Sequence, residues 1–119
     1  MKLTQTVQTG DWKAEKHVPE LEFEKLEGGK VKVTAHVGAE IAHPNTDEHH
    51  ISWIKVFFQA EGGKFPVEVA SYQFSAHGES EIFTDPIATG VFNTEKTGTL
   101  YALSYCNIHG LWENSLELN

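Results

Sequence analysis

Residues 21–38 read LEFEKLEGGKVKVTAHVG, and residues 51–75 read ISWIKVFFQAEGGKFPVEVASYQFS. Each stretch is two runs of alternating polarity around a Gly-Gly pair, Gly28-Gly29 in one and Gly62-Gly63 in the other. A period of two belongs to a strand with one face in a core and one in water, and paired glycines turn such a run back on itself. Val31, Val33, Ala35 and Val37 share one face, and Lys32, Thr34 and His36 share the other. Residues 87–106, IATGVFNTEKTGTLYALSYC, have the form of a third hairpin-like pair turning at Glu95 to Gly98. LWENSLEL (111–118) can close the fold with a short strand. About seven strands at this spacing predict an all-β protein, a two-sheet antiparallel β-sandwich. No stretch keeps a helical period over three turns. No linker, repeat or low-complexity tract divides residues 1–119, so a single domain is expected.

Charge and composition exclude several classes of partner. Nine basic side chains face seventeen acidic ones, a net charge of −8. Nucleic-acid binding wants a basic stripe, so a polyanion is not expected as partner. The first residues, MKLTQTVQTGDWKAEK, lack the apolar core of a secretory signal. No apolar run is long enough to span a membrane. A cytoplasmic protein is the expectation, and a reduced thiol suits that compartment.

That thiol is Cys106, the only cysteine, in YCNIHG (105–110), three positions before His109. A lone thiol has no intramolecular disulfide partner. It is a small buried residue, a nucleophile or a metal ligand. Two further segments carry ligand-type side chains: EKHVP (15–19) holds His17, and HPNTDEHHI (43–51) holds His43, His49 and His50. These segments fall at strand ends or connections, where sandwiches carry functional groups. Imidazole and thiolate suit iron, copper, zinc or nickel. A structural zinc site usually needs several thiolates. Blue copper uses two His, one Cys and a weak axial Met, yet the only methionine here is Met1 and GLWENSLELN follows His109. A cupredoxin-like electron carrier stays as the alternative, and a metal-free interaction module as a third reading. Four imidazoles and one thiolate would make a square-pyramidal site with an open sixth position, which implies chemistry on a small molecule.

Taken together, EKHVP, HPNTDEHHI and CNIHG closely resemble the superoxide reductases of the one-iron, neelaredoxin type in the desulfoferrodoxin family, along nearly the whole chain. The resemblance implies an immunoglobulin-like sandwich of seven strands holding one non-haem iron per chain. It implies His17, His43, His49 and His109 as equatorial ligands and Cys106 as the axial one. Glu15 would take the sixth position in the oxidised state, and Lys16 would be the cation beside the open site. The implied reaction reduces superoxide by one electron, with two protons from solvent, to hydrogen peroxide. A rubredoxin-like protein is the implied electron donor, and a homo-oligomer, in several relatives a tetramer, the implied assembly. Some relatives carry an additional N-terminal iron domain bound by four cysteines; one cysteine matches the single-centre form. Neighbouring strand residues face opposite ways, so only one of His49 and His50 should reach the metal; the family spacing favours His49 and leaves His50 as structural. His36 is expected to face solvent, and His77, in SAHGES, to sit in a loop. Asp47 and Glu48 are expected in a solvated loop, and Trp53, Phe57, Phe58, Phe74, Phe92 and Tyr101 in core or subunit contact.

Overall fold

Alternating polarity becomes seven strands: β1 Glu20–Lys25, β2 Lys30–His36, β3 Ile51–Ala60, β4 Val67–Gln73, β5 Ile87–Asn93, β6 Gly98–Cys106 and β7 Gly110–Leu118. The computed structural model describes all residues, 1–119. The only helical pieces are three short 3-10 turns. One sheet has the order β1-β2-β5 and the other β4-β3-β6-β7, with every pairing antiparallel. The two sheets close face to face on Val31, Val33, Ala35, Ile54, Val56, Phe58, Leu100 and Ala102. A side chain of this kind contributes roughly 1.5–3 kcal/mol when fully buried. This is an immunoglobulin-like sandwich in which the fourth strand pairs with the third rather than with the first sheet.

The first two glycine-centred hairpins form as the alternation predicts. The third pair does not. β5 pairs with β2, from Lys30↔Asn93 to His36↔Ile87, while β6 lies between β3 and β7. Residues 94–97 therefore carry the chain from one sheet to the other. The crossing is held at both hairpin turns: Thr94 N–H donates to Gly29 O, and Glu61 N–H donates to Thr97 O. Alternation reports which face of a strand is buried, not which sheet the strand joins. Gly90 marks the difference, since a Cβ there would lie 2.9 Å from the Ala70 Cβ of β4. The closing strand, β7, forms over the expected residues with Gly110 added and pairs along all of β6.

Register delivers the cysteine. Leu100, Ala102, Ser104 and Cys106 alternate inward along β6, so the last inward position of the strand is the thiol. β3 shifts register between Ile51 and Trp53, which changes the phase of the strand just after His49 and His50. Residues 11–19, 37–50, 74–86 and 107–109 all lie at the same end of the sandwich, where β1, β3, β5 and β7 begin.

Candidate metal centre

Three connections bring the predicted residues together at that end. His17 comes from the segment before β1, anchored at several points. Asp11 Oδ1 accepts the backbone N–H groups of His17 and Val18, and Ser104, inward on β6, donates its hydroxyl to His17 O at 2.7 Å. Asn114 Nδ2 donates to Pro19 O at 3.0 Å. The segment 43–50 is folded on itself through Thr46 and tied to the β6–β7 turn by Asn107. That side chain accepts the His50 N–H at 2.8 Å and donates to Glu48 O at 2.9 Å. Cys106 and His109 flank the same turn, Cys106 directly opposite Gly110.

The four imidazoles close a ring. Neighbouring centroids are 4.7 Å apart for His17–His43, 4.8 Å for His43–His49, 5.1 Å for His49–His109 and 5.1 Å for His109–His17. Each pair is steeply inclined, so each ring turns its edge toward the next and one nitrogen inward. Those nitrogens are Nε2 of His17, His43 and His49, and Nδ1 of His109. His109 uses its near nitrogen because only two residues separate it from Cys106. Glu15 Oε1 caps the ring, at 2.9 Å from His17, 3.5 Å from His43, 3.1 Å from His49 and 3.1 Å from His109. Cys106 Sγ lies 3.7 Å from His43 Nε2 and 3.8 Å from His109 Nδ1.

This donor set fits a cation. With imidazole nitrogen about 2.1 Å from a first-row dication, ligands at right angles stand about 3.0 Å apart. His17 Nε2 and His109 Nδ1 are 3.2 Å apart. The buried Glu15 Oε1 and His49 Nε2 have no hydrogen-bond partner despite their close neighbours. Buried lone pairs that converge without a hydrogen between them are costly unless a positive charge lies among them. Two subsets, His17-His43-His49-Cys106 and Glu15-His17-His49-His109, each bring their ligand atoms within 4.8 Å of one another. Together they can hold one iron.

Burial favours, at two of the imidazoles, the neutral form that metal binding requires. Burial pushes His43 down to about 4, against the pull of the Pro44 carbonyl, which accepts from Nδ1 at 2.7 Å and leaves Nε2 free. Burial also lowers His17, with Glu15 opposing. Trp112 stacks on His17 at 4.3 Å and donates its indole N–H to His109 O. The half-exposed Trp12 sets its ring edge-on to both His17 and His109.

The family model for desulfoferrodoxin matches residues 9–115. The chain belongs to the desulfoferrodoxin family. It is 56% identical over 116 residues to a superoxide reductase of Pyrococcus horikoshii, covering 98% of each chain. It is 46% identical over 124 residues to neelaredoxin of Megalodesulfovibrio gigas, covering 97% of this chain and 95% of that one. A superoxide reductase crystallised in the oxidised state superimposes with a TM-score of 0.95 at 52% identity, over 99% of this chain and 100% of that one.

Desulfoferrodoxin membership does not by itself sort the remaining histidines; the geometry does. His50 turns away from the ring and stacks on His77. His36 is half-buried on the outer face of β2. His77 does sit in a connection between strands, but it is buried, not solvated. Asp47 and Glu48 are exposed, as expected. Lys16 is half-buried and forms no salt bridge; all four close charge contacts in the molecule belong to Glu15. Asp11, Ser104, Asn107, Trp12 and Trp112 escaped the sequence reading. Only Asn107 carried a signal, since it stands between Cys106 and His109.

Proposed function

We propose that this protein is a superoxide reductase, adding one electron and two protons to superoxide and releasing hydrogen peroxide. Its cofactor would be one non-haem iron per chain, held by His17, His43, His49, His109 and Cys106. The observation that carries this reading is the ring of four inward nitrogens with a carboxylate oxygen touching all four and a thiol close by. The cupredoxin alternative is not favoured: its site uses two imidazoles, and the only methionine, Met1, is at the exposed N-terminus.

Iron held by these residues would supply the one-electron chemistry. Cys106, as thiolate, pushes charge toward the position across the ring, the lever of thiolate-ligated haem enzymes. Glu15 occupies the place a small anion needs, and its side chain is 25% exposed, so it has room to leave. Lys16, beside it, is the nearest free cation in sequence. It draws an anion inward against a net charge of −8 and holds water able to deliver protons. A rubredoxin-like electron donor, a cytoplasmic setting that keeps Cys106 reduced, and a homo-oligomer of tetrameric form complete the reading. The half-buried aromatics Trp53, Phe57 and Tyr101 on the outer face of the four-stranded sheet support an assembly of copies.

Metal analysis with optical spectra of the reduced and oxidised protein tests the whole reading. Iron at one per chain with a thiolate band on oxidation is expected; copper with an intense blue band, or no metal, would sink it. Glu15→Ala is expected to spare the reaction with superoxide while changing the resting ferric spectrum and its response to azide or cyanide. An unaltered ferric spectrum would show that this carboxylate does not reach the metal. Lys16→Ala is expected to slow the second-order reaction about tenfold, the low end of electrostatic steering, and to flatten its salt dependence. Pulse radiolysis over a salt series reads both, and an unchanged rate with an unchanged slope removes Lys16 from the mechanism.

A further inference from the structure

The segment between β4 and β5 packs against the loop that carries His43 and His49, and His77 is where the two meet. Its side chain is 7% exposed and belongs to no ligand cluster. His77 Nδ1 lies 2.7 Å from Asn45 Oδ1, and Nε2 lies 2.7 Å from Phe74 O. The Asn45 amide has one workable orientation, because its Nδ2 donates to Thr84 O at 2.9 Å. The atom facing His77 is therefore the oxygen. Both ring nitrogens face oxygen acceptors at hydrogen-bond distance.

The flat of the ring is used as well. His77 stacks on His50 with centroids 3.6 Å apart and planes 6° from parallel. His50 Nδ1 donates to Thr46 O at 2.8 Å. Thr46 then holds His49 three times: its N–H donates to His49 O at 2.9 Å, and its hydroxyl accepts the His49 N–H at 3.0 Å and donates to His49 O at 3.3 Å. The turn that presents His77 is itself strained. Gly78, Ser80 and Glu81 all have positive φ, at 125°, 49° and 61°. Two of these are not glycine, and such backbone persists only where its surroundings impose it. Glu79 Oε1 fixes the start of that turn by accepting the His77 N–H at 2.8 Å.

We infer that His77 is a positioning residue for His43 and His49. It grips their shared loop near both ends, through Asn45, two residues after His43, and through His50, one residue after His49. The inference rests on reading His43 and His49 as ligands, and it assigns to a histidine outside the centre the task of fixing two adjacent corners of the imidazole square.

His77→Phe keeps the stacking face and removes both ring nitrogens, and Asn45→Ala removes the partner of one of them. Both variants are expected to keep one iron per chain, to shift the ferric absorption and to move the reduction potential. In metal-free protein, amide exchange at residues 46–50 should quicken about tenfold while β3 and β6 amides stay as they were. The double variant should show little beyond His77→Phe. If His77→Phe fails to fold, Asn45→Ala decides alone. Unchanged exchange at 46–50 with an unchanged spectrum and potential overturns the inference, even if melting falls, because that is what a merely structural contact gives. A wild-type protein that takes up no iron would instead sink the ligand reading, and the metal-free exchange separates the two failures.

Discussion

Cys106→Ser removes the thiolate-to-iron absorption of the oxidised protein and lowers superoxide reduction on the order of a hundredfold or more. Losing a residue that merely orients a metal ligand costs 10–100-fold, and a ligand itself belongs at or beyond the upper end. The physical reason is charge. Cys106 is fully buried at the last inward position of β6, so, as a metal ligand, it would be the one anionic donor on the core side of the ring. A serine hydroxyl at that place stays protonated and pushes little charge across the site. The fold should survive, because serine is no larger than cysteine and Ser104 already occupies a buried inward position on the same strand. Optical spectra and pulse radiolysis at matched iron content make the measurement. A surviving band in the variant would mean that another group supplies it.

His49→Ala is expected to weaken iron retention by about 10–100-fold or more, whereas His50→Ala keeps iron at one per chain. The two residues are neighbours in sequence with opposite geometry. His49 Nε2 points into the ring, 3.1 Å from Glu15 Oε1. His50 faces away, bonded to Thr46 O and stacked on His77. Metal content after dialysis against a chelator compares them directly. If His50→Ala loses iron and His49→Ala retains it, the ring has been assigned the wrong corner.

The candidate residues at the centre were named through the resemblance of three short motifs to a known family, and part of their arrangement is written locally. A strand with period two puts Cys106 on the inward face, and CNIHG binds thiol and imidazole to one tight turn. Alternation said only that one of His49 and His50 should face the ring; the family spacing favoured His49, and both residues in fact precede β3 in a bent connection. The supporting residues were not legible. Asp11, Ser104 and Trp112 act on His17 from positions 6, 87 and 95 residues away in sequence, and nothing local marks them. The crossing at residues 94–97 was missed for a related reason. A strand's partner is decided by long-range packing, and a turn rich in polar residues looks the same within a sheet and between sheets.

The centre is mounted unevenly. Cys106 and His109 flank the turn of a hairpin laddered along its whole length, whereas Glu15, His17, His43 and His49 stand on irregular segments. Irregular segments open at a lower free energy than the strands they join. Loss of iron by opening of those segments would not require the sandwich to come apart. Endurance of the fold under heat and retention of the cofactor are then two separate properties. A protein of this build can stay folded long after it has gone colourless.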